Sequence, residues 1–272
     1  MTEYREDSPS LYAEKMEMLA IPAHLRSIEQ EHHVKILLAV ESGSRAWGFE
    51  SANSDWDVRF IYVHKPEWYF KVEEQRDVIE HMYEDDVDLV GWELGKALAL
   101  FRKSNPSLLE WFNSPIVYYA DDDFVRRIRE VEKDYFNPVK SMYHYNHMYN
   151  KDNERYLQKE DCDMKRFLYY LRGILACKWI ESNSTLPPVS FKELLDATID
   201  DEMIKAKVDE LLRIKKSGEE HDMQVVDKTL VEYAHRWADY YNEMIGSFRP
   251  EQHKTSTDAL DAILYDMVKE NA

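Results

Sequence analysis

Two apolar runs near the N-terminus constrain the fold most. "VKILLAV" (34–40) and "DWDVRFIYVH" (55–64) are rich in β-branched, aliphatic and aromatic residues. Each has the length and near-continuous hydrophobicity of a strand buried on both faces. The segment between them, "ESGSRAWGFESANS", is polar, with Gly43 to break the first strand and Ser44 placed to cap a short helix. "DVIEHMY" (77–83) and "VDLVG" (87–91) read as a hairpin around an acidic turn, and "WELGKALALFRKS" (92–104) as an amphipathic helix stopped by Asn105-Pro106. Residues 11–31 have helical spacing interrupted by Pro22, which predicts short helices. Beyond residue 107 the pattern is helical, apart from a strand candidate at "PIVYY". The reading is therefore α+β: an N-terminal sheet domain over 1–125 and a helical domain over 126–272, the boundary falling near residues 120–140.

Composition narrows the class of function. Of 272 residues, 44 % are hydrophobic and 13 % aromatic, enough for a packed core. Two cysteines without a CxxC pair predict neither a disulfide framework nor a zinc site. No apolar run approaches the ~18 residues of a membrane span, and the acidic start "MTEYREDSPS" is unlike a secretory signal, so a reducing, cytoplasmic setting is expected. The formal charge is −18. Strong nonspecific binding of nucleic acid draws on a basic surface and counterion release, and this charge disfavours it.

Within the negative excess, Asp55 and Asp57 stand one residue apart at the head of the second strand. Residues i and i+2 of a strand share a face, so the two carboxylates are expected side by side, where they repel unless a cation bridges them. Hard oxygen ligands in this arrangement suit Mg²⁺, which binds through one or two carboxylates plus substrate phosphates. Gly43-Ser44 at a helix start offers backbone N–H groups and a hydroxyl to a phosphate. A third carboxylate is expected from "EDDVDLVGW": Asp88 lies deeper in the apolar segment, where an unpaired charge is costly, whereas Asp86 belongs to the turn. Arg59 shares a strand face with Asp57 and reads as its ion-pair partner.

"GSRAWGFESANSDWDVRFIYVH", with "DVDLVGWELGKAL", "KSNPSLLEWFNSPIVY" and "KRFLYYLRGILACKWI", resembles the nucleotidyltransferases of the polymerase-beta superfamily associated with RNA repair, over most of the chain. The resemblance implies a nucleotidyltransferase palm with a mixed sheet and flanking helices, followed by an α-helical domain closing a nucleotide cleft. It puts Gly43 and Ser44 on the nucleotide phosphates, Asp55 and Asp57 on metal, and Asp88 at the third acidic position. The chain departs from the pattern "GWDLRKAL" at Glu93 and Gly95, which leaves Lys96 as the basic residue there. The implied reaction moves a nucleoside monophosphate from an NTP, most readily ATP, onto an acceptor hydroxyl. Two Mg²⁺ ions are expected, with Mn²⁺ able to substitute, and Asp88 serves as ligand of the second ion or as general base. The acceptor is an RNA end by the family's association. The acidic surface speaks for the alternative of a protein hydroxyl, and a non-catalytic nucleotide-binding module is the third reading.

A triphosphate also needs positive charge. In "MKRFLYYLRGILACKWI" the residues Met164, Phe167, Leu168, Leu171, Ile174 and Leu175 form one helical face, while Lys165, Tyr169 and Arg172 recur at i, i+4 and i+7 on another. Lys165 and Arg172 are the expected contacts to the β- and γ-phosphates, with Arg45 a further candidate. His144 and His147, at i and i+3 without the HExxH pattern, are read as packing or surface residues. Trp47, Trp56, Trp92 and Trp111 are read as core residues, with Trp47 or Phe49 the candidates to lie near a base.

Overall fold

The computed structural model describes residues 9–152, 163–217, 226–248 and 256–272. The N-terminal residues 1–8 and Cys162, discussed above, lie outside them. Helix α1 (Pro9–His32) precedes β1 (Val34–Glu41), α2 (Gly43–Trp47) and β2 (Trp56–His64). A 3-10 turn (Pro66–Phe70) leads to the hairpin of β3 (Val78–Met82) and β4 (Val87–Glu93), then α3 (Leu94–Arg102), α4 (Pro106–Phe112) and β5 (Val117–Ala120). Seven more helices follow among the described residues: α5 (Asp122–Tyr135), α6 (Pro138–Asp152), α7 (Met164–Asn183), α8 (Phe191–Thr198), α9 (Glu202–Ser217), α10 (Lys228–Gly246) and, last, α11 (Asp258–Glu270).

The five strands form one sheet in the order β3-β4-β2-β1-β5. The β2–β4 pair is parallel and every other pair antiparallel, so the sheet is mixed, as expected. Strand β2 lies at the centre of this order, and its alternation assigns the two faces. Val58, Phe60 and Tyr62 point into a core closed by Ile21, Leu25 and Ile28 of α1. Ile61 and Val63 point the other way, into a core built with α3, α4, α5 and α11. Asp57 and Arg59 belong by alternation to this second face but lie at its open end. Gly91 of β4 packs flat on Phe60, whose ring a Cβ there would meet at 2.1 Å.

Three sequence expectations change. Residues 9–32 form one helix with Pro22 inside it. Ile21, Leu25 and Ile28 are all buried, and burying this stripe outweighs the one hydrogen bond that proline removes. Ser44 is not the cap of α2: Ser42 takes the N-cap position and Ser44 is buried in the first turn. Helix α3 starts at Leu94 rather than Trp92, because β4 runs through Glu93, whose side chain then caps the helix by accepting from Lys96 N–H.

The boundary drawn at residue 125 cuts α5, whose Phe124 and Ile128 join the sheet core. Leu260, Ile263 and Met267 of α11 join the same core, so the end of the chain returns to the sheet. Helices α6 to α10 make a separate apolar cluster, centred on the buried face of α7, to which Phe49 from the loop after α2 also belongs.

Candidate active site

The site begins where β1 ends. Gly43 turns the chain with φ of +61°, and a Cβ at that position would lie 2.1 Å from Asp57 Oδ2. Only glycine permits both the left-handed backbone and this approach. Asp57 is pinned on either side of its Cα: its carbonyl accepts from Ser42 N–H (2.9 Å), and its own N–H donates to Glu41 Oε1 (2.9 Å). Glu41 is wholly buried, and its other oxygen accepts from the Tyr118 hydroxyl of β5 at 2.5 Å. Burial pushes its carboxyl up to about 7 against the lowering effect of the Tyr118 and Asp57 hydrogen bonds.

Asp88 reaches the site through the parallel ladder. It is the register partner of Asp57, so the two carboxylates emerge side by side on one face of the sheet. Between them lies Arg59. Its Nη2 donates to Asp57 Oδ1 (2.7 Å) and Asp88 Oδ2 (3.0 Å), while Nη1 donates to the carbonyls of Val58 (3.1 Å) and Asp88 (2.9 Å). The Asp57 carboxyl is nevertheless raised above its usual range. Burial is the largest cause; Arg59 and Lys165 oppose it, and the charges of Asp88 and Asp55 add to it.

Asp55 is placed differently from its neighbour. It precedes β2 and is exposed, in a loop held by Arg45, which donates to the carbonyls of Ser54 (2.7 Å) and Asp55 (3.3 Å). The Arg45 guanidinium also lies 3.8 Å over the Trp56 ring, so this buried side chain shapes the loop. Asp86 sits in the β3–β4 turn at φ of +58°, its carbonyl accepting from Trp56 N–H (3.0 Å). Lys96, the basic residue left in α3, pairs with Asp77 (2.9 Å).

A cavity of about 250 Å³ opens between this corner of the sheet and the helical layer, lined by Gly43, Asp57 and Arg59 on one side and Tyr145, Tyr169 and Arg172 on the other. Lys165 is exposed one helical turn before Tyr169, and its charge reaches Asp57. Arg172 is deeply buried and engaged: Nη1 pairs with Glu110 Oε1 (2.8 Å), Nη2 donates to Val189 O (3.2 Å), and the guanidinium lies 4.5 Å over Trp47. Glu110 of α4 also accepts from Tyr145 Oη (3.0 Å) and Trp47 Nε1 (3.0 Å). One carboxylate thus ties α2 and α4 to α6 and α7. Trp47 is fixed with its edge to Tyr169 (centroids 4.7 Å apart) at the wall of this cavity.

Sequence reasoning missed Glu41 and Glu110. Each carried a signal: a carboxylate ends an apolar strand directly before a glycine turn, and a single carboxylate interrupts "SLLEWF".

These residues can be tested against a divalent cation. Asp57 lines the cavity, Asp55 adds negative charge nearby, and carboxylate oxygens suit Mg²⁺. The donor set fits on that side. On the other side Arg59 fills the gap, and among the described residues no three carboxylate, imidazole or thiol groups come together as a ligand set.

Residues 19–266 match the family described as the RNA repair pathway DNA polymerase beta family, RlaP. This chain belongs to that family. A relative within reach is the uncharacterized protein YcgL of Bacillus subtilis (strain 168), 43 % identical over 246 residues, which cover 90 % of this chain and 94 % of that protein. Among solved structures, the nucleotidyltransferase-like protein from Exiguobacterium sibiricum 255-15 aligns with 93 % of this chain and 89 % of its own, at 13 % identity and a TM-score of 0.33. That overlap is too loose to bear on the site. Membership of the RNA repair pathway DNA polymerase beta family makes the chain a polymerase-beta-like nucleotidyltransferase in general class. No described helix is long and apolar enough to cross a membrane.

Proposed function

We propose that this member of the family transfers a nucleoside monophosphate from an NTP, ATP first among them, to an acceptor hydroxyl, with Mg²⁺ or Mn²⁺ as the cation. One observation carries the reading: Asp57 and Asp88 emerge side by side from a parallel strand pair, and Asp57 lines a cleft next to the Gly43 turn that packs closely on its carboxylate. Asp57 and Asp55 would hold the cation, which when bound would supply charge neutralisation on the triphosphate. The Gly43-Ser44 turn offers its backbone to phosphate oxygens, and exposed Lys165 stands across the cleft to meet the β- and γ-phosphates. Arg172, committed to Glu110 and Val189 O, forms the cleft wall with Trp47 rather than meeting phosphate, and Arg45 fixes the Asp55 loop. The acceptor oxygen attacks the α-phosphorus, the bond from that phosphorus to the bridging oxygen breaks, and pyrophosphate leaves. The hydroxyl proton passes to the carboxylate of Asp88.

An RNA end is the acceptor that the family suggests. A protein hydroxyl is the second reading, favoured by the charge of −18, which repels a polyanion. The test incubates the protein with each NTP labelled at the α-phosphorus, Mg²⁺ or Mn²⁺, and either total RNA or cell protein. Label on RNA ends supports the first acceptor and label on protein the second. No label on either, with NTP binding intact, would leave a binding module and sink the transferase reading.

A further inference from the structure

The guanidinium of Arg59 stands where an ion bridging Asp57 and Asp88 would have to sit. Its position is built into the sheet rather than adopted by a loose surface arm. Arg59 follows Asp57 by two residues on the same strand, so both project from one face, and the parallel register places Asp88 directly opposite Asp57. One nitrogen then spans both carboxylates at 2.7 and 3.0 Å, while the other is anchored on two backbone carbonyls at 2.9 and 3.1 Å. The side chain is only 17 % exposed. A planar fork satisfied at four acceptors is held far more firmly than an exposed ion pair.

Charge balance follows the same line. Asp55, Asp57 and Asp88 carry three negative charges, and Arg59 returns one, leaving two, which a single divalent cation neutralises. A second divalent ion between Asp57 and Asp88 would have to expel the guanidinium or sit in direct repulsion with it. Expulsion strands a half-buried arginine without its carboxylates. Asp57 also lines the cavity, with its Oδ2 packed close against Gly43.

We propose that Arg59 is a built-in counter-cation that takes the place of a second metal ion, so that the site binds one divalent cation with its nucleotide and Asp88 is held by Arg59 as a carboxylate rather than as a metal ligand. This rests on the nucleotidyl-transfer reading. The experiment counts bound Mn²⁺ by electron paramagnetic resonance at a saturating NTP analogue with a methylene bridge between the α- and β-phosphorus, which cannot turn over. Wild type is expected to hold one Mn²⁺ per chain, with the spectrum of an isolated ion. Arg59→Gln, which removes the charge, is expected to hold two, with the broadening of a coupled pair. Arg59→Lys, which keeps a charge in the gap, is expected to stay at one. Two ions in wild type would overturn the proposal whether or not the variants fold. A count that stays at one in Arg59→Gln, with wild-type thermal melting, would overturn it too. Failure of the nucleotidyl-transfer reading looks different: no Mn²⁺ bound in the presence of analogue by any of the proteins, which removes the basis of both.

Discussion

Gly43 is the residue on which the geometry of the site turns. Its φ of +61°, and the 2.1 Å at which an added Cβ would meet Asp57 Oδ2, mean that a single methyl group both strains the backbone and pushes on the carboxylate. Gly43→Ala should therefore cost about 1–3 kcal/mol of stability and abolish the rise in melting temperature produced by NTP with Mg²⁺. A variant that melts like wild type and still gains stability from nucleotide would remove Gly43 from the site. The two acidic residues of the β3–β4 region separate in the same manner. Asp88→Ala should eliminate transfer while leaving nucleotide-dependent stabilisation largely in place, because Asp88 is assigned to the acceptor side. Asp86→Asn should leave both unchanged, since asparagine tolerates the left-handed turn at φ of +58°. Loss of transfer in the Asp86 variant alone would reverse the assignment.

At the scale of elements, β2 carries the site at one end and a titratable anchor at the other. His64, its last residue, stacks on Trp68 of the 3-10 turn with ring centroids 4.3 Å apart. Burial, with the nearby charges of Lys71 and His32 adding to it, lowers its pKa from 6.5 to about 4. The folded state thus prefers neutral His64. That preference contributes stability in full above about pH 6.5 and is lost as pH falls towards 4. For a half-buried group the contribution is about 1–2 kcal/mol once screening by water is allowed for. His64→Phe keeps the stack and removes the titration, so its loss of stability between pH 6.5 and 4 should be smaller than that of wild type by this amount. Parallel denaturation curves for the two proteins across that range would show that His64 is not an anchor. The other ends of the elements are coupled by Glu110, which gathers Trp47, Tyr145 and Arg172, and by Glu41, which holds Asp57 and Tyr118.

For the whole molecule the deciding quantity is the charge of −18. Among the described residues, the cations around the cleft and on α5 are committed: Arg59, Arg172, Lys96, Arg126 and Arg127 all sit in ion pairs. RNA must then be held by few phosphate contacts. Each one contributes a slope of about −0.7 in log K against log salt for a single strand, so two or three contacts give roughly −1.5 to −2. Titration of RNA affinity across salt concentrations, with and without NTP, should return such a shallow slope and weak binding to unstructured strands. Recognition would fall to an end structure or a paired shape rather than to strand length. A steep slope with tight binding to random RNA would reveal a basic groove and overturn this expectation.

Local pattern made much of this protein legible. The strands announced themselves because a run such as "VKILLAV" can be satisfied only by burial on two faces, and Gly43 and Asp57 marked the corner where the sheet borders the cavity. The pairing of Arg59 with Asp57 followed from a period of two along one strand. Other features depend on what packs against what. That Arg59 also spans to Asp88 was decided by the parallel register of β2 and β4. That Asp55 lies in the loop, outside the strand that carries Asp57, was decided by where the ladder begins, at Trp56. Pro22 inside α1, Arg172 turned from a free cation into the partner of Glu110, and α11 returning to the sheet core depend on contacts between residues far apart in the chain. A sequence lists each side chain's charge and its neighbours within a turn or a strand. Whether a charge faces ligand or counter-charge is set by the elements folded against it, and those enter only with the tertiary structure.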